Sequence, residues 1–315
     1  MIVWLASYPR SGNTFLRIML YHAFGLKTCS LYGDLTDIAA HRSTSEIVGH
    51  TALPSGWTAD EARKDDGLWL VKTHDWPQGE DKAIYVIRDG RETLVSYFNY
   101  LQHYADYAPS LLSVVAGAVA FGPWSDHVEA WDPLQRSDTL LLRFEDVVKH
   151  PQEYLPLLAR FLEVTPISRS TPDFAELHAT DPNFFRSGRT DSWKTVFTED
   201  AHNLFWLLHG DAMTKHGYTN DVPALFRAQR STPREGPASE QRQRFEALSS
   251  LTQRALKEQS AEHRRQLSRQ EQQLKRLHAR STSLDLEIDR IRSSMSWRAT
   301  KPFRVITRLL AHRRR

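Results

Sequence analysis

Residues 2–17 read IVWLASYPRSGNTFLR: an unbroken apolar run, a tight turn at Ser11-Gly12, and the opening of a helix. A run this continuous leaves no face for water, so Ile2–Ser7 reads as a strand buried on both sides, as in parallel sheets. A helix that starts directly behind such a strand aims unpaired backbone N–H groups and its positive dipole end at whatever lies above the strand. Phosphate is the usual occupant of such a place. Gly12 lets the backbone approach closely, Arg10 adds a fixed positive charge, and Ser11, Asn13 and Thr14 add neutral donors. The loop is not the lysine-bearing G-x-x-x-x-G-K-[ST] loop of nucleotide triphosphatases, because its basic residue precedes the glycine. On spacing alone it reads equally well as a glycine-containing turn with a stray arginine.

Working outward, Leu68–Thr73, Ala83–Arg88 and Thr139–Phe144 are further apolar runs of strand length. Thr14–Phe24 and Thr93–Tyr104 read as helices between them, and Leu111–Phe121 as a buried helix too short to cross a bilayer. The alternation predicts an α/β fold, a parallel sheet flanked by helices, over residues 1–221. Residues 222–239, VPALFRAQRSTPREGPAS, carry Pro223, Pro233, Pro237 and Gly236 and read as a linker. Residues 240–296 read as a long helix. A heptad starts at Leu267 and continues through Leu274, Ile288 and Met295, with Leu277, Leu284 and Ile291 in the second seam position. That pattern predicts a coiled coil and a homo-oligomer, with a single solvated helix as the alternative. Residues 297–315 form a basic tail in which Phe303, Ile306 and Leu310 recur at helical spacing.

The 315 residues are 40% hydrophobic and 25% charged, which excludes wholesale disorder. Charge is uneven. From Glu240 onward there are 19 Lys/Arg against 8 Asp/Glu, whereas the preceding part holds 22 against 30. A mildly acidic body with a basic arm points to an anionic surface as partner. A basic amphipathic tail predicts peripheral contact with the inner face of the membrane; an acidic polysaccharide or a protein would satisfy the same charge, and no nucleic-acid partner is expected. The lone Cys29 excludes an intramolecular disulfide and a four-cysteine zinc site, and MIVWLASYPRSG has no basic stretch before its apolar run. A cytoplasmic, reducing setting is the expectation.

SYPRSGNTFLR resembles the 5′-phosphosulfate loop of the cytosolic and carbohydrate sulfotransferases, usually TYPKSGTTW. These enzymes use 3′-phosphoadenosine-5′-phosphosulfate (PAPS) on a fold related to P-loop kinases. IRDGRETLVSYFNY is similar to the family's 3′-phosphate segment and FRSGRTDSWKTVFT to its R-K-G-x4-W-K segment. VKTHDWP, GPWSDHVEAW and LLLRFEDVVKHP fall between or beside them in the family's order. The resemblance covers about residues 1–220. It implies that Arg10, Ser11, Gly12, Asn13 and Thr14 hold the 5′ end of the donor and that Arg88, Ser96, Arg186, Ser187 and Gly188 hold its 3′-phosphate. It also implies that Phe15, Phe144 and Phe174 pack at the adenine. The sequence departs from the pattern where Arg10 replaces a lysine, Phe15 a tryptophan, Phe144 a tyrosine and Ser187 a lysine. The family's short dimer motif is broken at Glu199 and Asn203.

Sulfuryl transfer to a hydroxyl needs a base for the proton and cations where charge builds on the leaving phosphate, and in principle no metal. Lys72 and His74 end the run LWLVKTH, so they should emerge at the carboxyl edge of a parallel strand, where ligands bind in open α/β sheets. His74 is the expected base, and Lys72 with Arg10 the expected stabilisers of the departing charge. Any one of the 14 histidines is more often structural than catalytic. The strand-end position and the family-like KTH segment single out His74. His127 and Trp131, four apart on one helix face, fit equally an acceptor pocket and plain packing. Two other readings compete: a nucleotide-dependent kinase, which needs a loop lysine and a magnesium-binding carboxylate, and a non-catalytic coiled-coil scaffold, which needs none of these side chains. The C-terminal tail resembles segments found in bacterial polysaccharide proteins and implies a glycan or lipid-linked saccharide as the hydroxyl acceptor.

Overall fold

In the computed structural model, residues 1–32, 42–104, 108–168 and 191–219 are described. All lie in the first of two compact units, Met1–Gln259. The linker, coiled-coil and tail expectations, and with them Phe174, Arg186, Ser187 and Gly188, fall outside the described residues.

Five strands form one sheet: β1 (Ile2–Ala6), β2 (Cys29–Ser30), β3 (Trp69–Thr73), β4 (Lys82–Ile87) and β5 (Thr139–Arg143), in the order β2-β3-β1-β4-β5. Every pairing is parallel. The first strand of the chain is therefore the centre of the sheet. The direction of travel reverses there, because β3 pairs on one side of β1 and β4 on the other, which opens a crevice above its carboxyl end. All five residues of β1 are buried, as its continuous apolar run requires.

Helix α1 (Asn13–Phe24) covers one face of the sheet, together with α7 (Phe144–Lys149) and α8 (Pro151–Leu162). Their core joins Val3, Leu5, Ile84 and Leu142 to Leu16, Met19, Leu155 and Leu158. On the opposite face lie α4 (Gly90–Tyr104), α5 (Leu111–Val115), α6 (Trp124–Trp131) and α10 (Glu199–Lys215). Here Trp4, Ala6, Tyr85 and Ile87 pack on Leu94, Val114, Trp131 and Phe205. The short helices α2 (Arg42–Ile47), α3 (Ala59–Lys64) and α9 (Trp193–Val196) complete the described set.

The expected helix over 111–121 is shorter than its apolar composition suggested. It ends at Val115, and Gly117 turns the chain at φ +74°, with the Pro123 backbone packed where a side chain would stand. The buried character is as expected, since Val114, Val115 and Ala116 are inaccessible. Among the described residues no helix is long and apolar enough to cross a membrane.

Candidate active site

The loop leaving β1 closes as a turn in which the Ser11 N–H donates to the Tyr8 carbonyl at 3.2 Å. Arg10 takes the left-handed conformation at φ +68°, uncommon for a residue with a side chain. Its Nε lies 3.4 Å from the Ser96 hydroxyl, and its guanidinium sits 5.3 Å from the Tyr100 ring centre. Arg10 and Ser96, expected at opposite ends of one donor, thus meet across the crevice.

Gly12 caps α1 at φ +106° without a side-chain cap. The N–H groups of the first helical turn therefore have no carbonyl inside the helix to accept them. A Cβ at Gly12 would come within 2.2 Å of the Phe144 ring, so only glycine fits beneath that ring. The Ser11 hydroxyl is buried without a hydrogen-bond partner among the described residues. An uncapped helix end, a glycine cradle and an orphaned buried hydroxyl together fit a phosphate-bearing ligand. Thr14 is half-buried on the same turn. Asn13 behaves differently from a ligand donor: its amide donates to the Leu5 carbonyl at 2.7 Å and to the Ser7 hydroxyl at 3.3 Å. Its side chain locks the loop to the strand and leaves its backbone N–H at the helix end.

Arg88, at the carboxyl end of β4, donates to the Arg10 carbonyl at 3.3 Å and stands 3.7 Å from the Glu92 carboxylate. Its guanidinium covers the Phe144 ring at 4.6 Å. Burial pulls Arg88 below its ordinary pKa, opposed by the charges of Glu92, Glu145 and Asp89. Phe144 is thus sandwiched between Gly12 and Arg88, 9% exposed. Phe15 is 8% exposed and packs into the core on the α1 side of the sheet. Glu92 accepts from the Ser192 hydroxyl at 2.6 Å and from the Trp193 N–H at 3.1 Å, tying α4 to the start of α9.

Beside β1, on β3, Lys72 is buried with its ammonium 5.6 Å from the Tyr32 ring centre. His74 follows the strand end. Its Nδ1–H donates to the Ser7 carbonyl at 2.7 Å, which puts the ring's lone pair on Nε2. The imidazole stacks on Tyr32 at 5.5 Å and meets the edge of Phe121 at 5.6 Å. The Tyr32 hydroxyl accepts the His74 backbone N–H. Burial pushes the Tyr32 phenol above its ordinary range, so it stays a neutral hydroxyl. The loop that fits a phosphate and the histidine that fits a base therefore share Ser7, and Asn13 holds Ser7 from below.

His127 and Trp131 do not line an open pocket. They are 0% and 1% exposed, and both donate to the loop after β3. His127 Nε2 reaches the His74 carbonyl at 3.0 Å, and Trp131 Nε1 the Asp75 carbonyl at 3.0 Å. On α4, Tyr97 is buried against Tyr8 and Tyr100 faces Arg10. The sequence reading missed Ser7, Tyr32 and Tyr85. Only Tyr85 left a signal, as a polar-tipped ring inside the apolar run AIYVI.

Residues 2–215 match the model of the sulfotransferase domain family. Human sulfotransferase 4A1 is 23% identical over 248 residues, covering 70% of this chain and 82% of that protein. Dog sulfotransferase 1B1 is 24% identical over 250 residues, covering 67% and 82%. Among solved structures, mouse sulfotransferase SULT7A1 complexed with PAP shares the fold at TM-score 0.51 and 20% identity, covering 68% of this chain and 84% of that one. Retinol dehydratase in complex with androsterone and PAP does so at 0.50 and 17%, covering 70% and 82%.

Proposed function

Because the chain belongs to the sulfotransferase family and so transfers a sulfuryl group from PAPS to a hydroxyl acceptor, we propose that His74 is the base of that reaction and that Arg10 and Lys72 stabilise the departing phosphate. The observation that carries this reading is the Nδ1–H bond from His74 to the Ser7 carbonyl. It leaves Nε2 able to take the acceptor's proton and fixes the ring to the loop that fits the donor's phosphate.

PAPS supplies the activated sulfuryl group when bound. The first-turn N–H groups of α1, the Ser11 hydroxyl and Arg10 would hold its 5′ end, and Arg88 with Ser96 its 3′-phosphate. Ser187, Arg186 and Gly188 would extend the 3′ contact, and Phe15, Phe144 and Phe174 the adenine contact. Lys72, buried beside the loop, would face the oxygen on which negative charge accumulates, where low surrounding polarity strengthens the attraction of a cation. Arg10 offers a planar fork in place of a point charge at the same position. His74, held between Tyr32 and Phe121, cannot swing away from the acceptor side.

The acceptor we propose is a saccharide hydroxyl, and the setting the inner face of a membrane; support comes from the basic amphipathic tail and the heptads before it. The experiment is sulfate transfer from ³⁵S-labelled PAPS to cell-envelope glycans and a panel of small alcohols. It runs beside thermal shift with adenosine 3′,5′-bisphosphate and with ATP–magnesium. Stabilisation by the bisphosphate without added metal, and label on a hydroxyl, are expected. Stabilisation by ATP–magnesium alone would overturn the donor reading. Label confined to small phenols would overturn the saccharide.

A further inference from the structure

We infer that His127 is a positioning residue for sulfuryl transfer, holding the His74 backbone through its carbonyl in one fixed tautomer set by Tyr85. The inference rests on the reading of His74 as the base.

Tyr85 is fully buried in β4, and its hydroxyl lies 2.9 Å from His127 Nδ1. Burial keeps the phenol protonated well above neutral pH, so the hydroxyl donates and Nδ1 must accept. The single imidazole proton is thereby placed on Nε2, which donates to the His74 carbonyl at 3.0 Å. Reversing the tautomer would set an N–H against the Tyr85 donor and a lone pair against the His74 carbonyl. Both bonds would be lost at a ring that is 0% exposed to solvent. Burial also lowers the His127 pKa to about 4, so the ring stays neutral at working pH and presents no second charge to the donor.

The bond acts on a backbone that is also held at other points. The His74 ring is fixed by Ser7 and its N–H by Tyr32. On the α6 side, His127 and Trp131 take the successive carbonyls of His74 and Asp75. The peptide carrying the base is thus fastened at its N–H, its carbonyl and its ring. Loss of the carbonyl bond would let the loop after β3 shift, and displacements on the scale of 1 Å at a reacting group cost roughly 100-fold in rate.

His127→Phe keeps most of the volume and removes the donor, whereas His127→Gln keeps an amide N–H near the place of Nε2. We expect His127→Phe to lower kcat about 10- to 100-fold with the panel alcohol that accepts label. The dissociation constant for adenosine 3′,5′-bisphosphate should stay within twofold, and His127→Gln should recover most of the loss. In a His74→Ala background, His127→Phe should lower the residual rate no further, which a purely structural role would not produce. Titration with the bisphosphate gives the folded fraction of each variant. Should His127→Phe fail to fold, ¹⁵N NMR of the unsubstituted protein reads the tautomer directly. A neutral ring protonated at Nε2 from pH 5 to 8 is required, and protonation at Nδ1 or titration near pH 6.5 overturns the inference. Equal losses in the Phe and Gln variants, or a normal kcat in both, also overturn it. If His74→Ala itself keeps normal turnover, the base reading fails, and positioning of a base by His127 fails with it.

Discussion

Replacing Gly12 by alanine tests the phosphate cradle most directly. The added Cβ meets two separate penalties. The backbone at φ +106° is one that L-residues rarely adopt, which costs about 1–3 kcal/mol. The Cβ would also stand 2.2 Å from Phe144 Cδ2, where carbon atoms prefer about 3.5–4.0 Å. The ring must therefore move by more than an ångström, yet it is clamped from above by Arg88 at 4.6 Å. Overpacking of that kind costs about 1–3 kcal/mol. Together the two predict a loss of about 4 kcal/mol, or about 8–16 °C in Tm for a domain of this size. Because the displaced ring carries Arg88 with it, the affinity for adenosine 3′,5′-bisphosphate should fall at least about tenfold, a change of about 1.4 kcal/mol. Differential scanning fluorimetry and calorimetry measure the two effects. The double variant Gly12→Ala/Phe144→Ala should be less damaged than the sum of its singles, because the clash is counted only once. A Gly12→Ala protein within 2 °C and twofold of the parent, on the order of experimental error, would show that the ring does not close on the loop.

Further outcomes follow from other parts of the site. His74→Ala should lower turnover by about two orders of magnitude with bisphosphate affinity nearly unchanged; single-turnover kinetics with bound donor would expose a normal chemical step if the base lies elsewhere. Arg88→Ala should weaken bisphosphate binding by roughly 10- to 100-fold, the scale of lost charge-assisted hydrogen bonds, and calorimetry showing unchanged affinity would remove Arg88 from the 3′-phosphate. His127 and His209 both have pKa values lowered to about 4 by burial, so the unfolded chain binds more protons than the folded one between that value and about 6.5. Their contribution is full above pH 6.5 and is lost as pH falls, about 2 kcal/mol each by pH 5; burial lowers His216 in the same sense, urea denaturation at pH 7.5 and 5.0 should show the drop, and His209→Leu should shrink it. Truncation after Ser239 should leave a bisphosphate-binding protein that no longer sediments with anionic vesicles, and equal sedimentation of both forms at low and high salt would refute the tail's role.

The sheet was legible wherever burial on both faces made a strand continuously apolar, as in β1, β3 and β4, and the apolar run Thr139–Phe144 marked the half-buried edge strand β5 as well. It was illegible at β2, because Cys29-Ser30 is too short to carry a pattern. Apolar composition overran the end of α5, since burial continues through Ala116 and Ala118 after Gly117 has already turned the chain. The run LWLVKTH placed Lys72 and His74 at the carboxyl end of a parallel strand, the edge that binds ligands, and the structure has Lys72 in β3 and His74 just beyond it. What the sequence could not disclose were partners remote along the chain. The spacing of His127 and Trp131 placed them on one face. That this face meets the loop after β3 depends on Tyr85, 42 residues away, and on a peptide 53 residues away. Asn13 misled in the other direction, because a residue type that suits a ligand donor is used here to bind Leu5 and Ser7.

These remote partners fix one histidine among many in place, the one proposed as the base. The α1 layer reaches His74 through Asn13 and Ser7, the α6 layer reaches it through His127 and Trp131, and Tyr32 takes its backbone N–H. The sheet edge between the layers supplies the third constraint, because the Ser7 N–H pairs with the Thr73 carbonyl at 3.4 Å and so keeps β1 and β3 in register up to the site. A phosphate loop after β1 and the proposed base after β3 could drift apart if each were anchored only to its own strand. Shared hydrogen bonds at Ser7 prevent that, and they turn the central position of β1 into a fixed spacing between donor and base. In-line transfer depends on that spacing, since the attacking hydroxyl must face the sulfur while its proton faces Nε2. The strand order itself supports the proposal: β3 pairs directly with β1, so Lys72 and the proposed base His74 reach the edge of the sheet next to the loop that leaves β1.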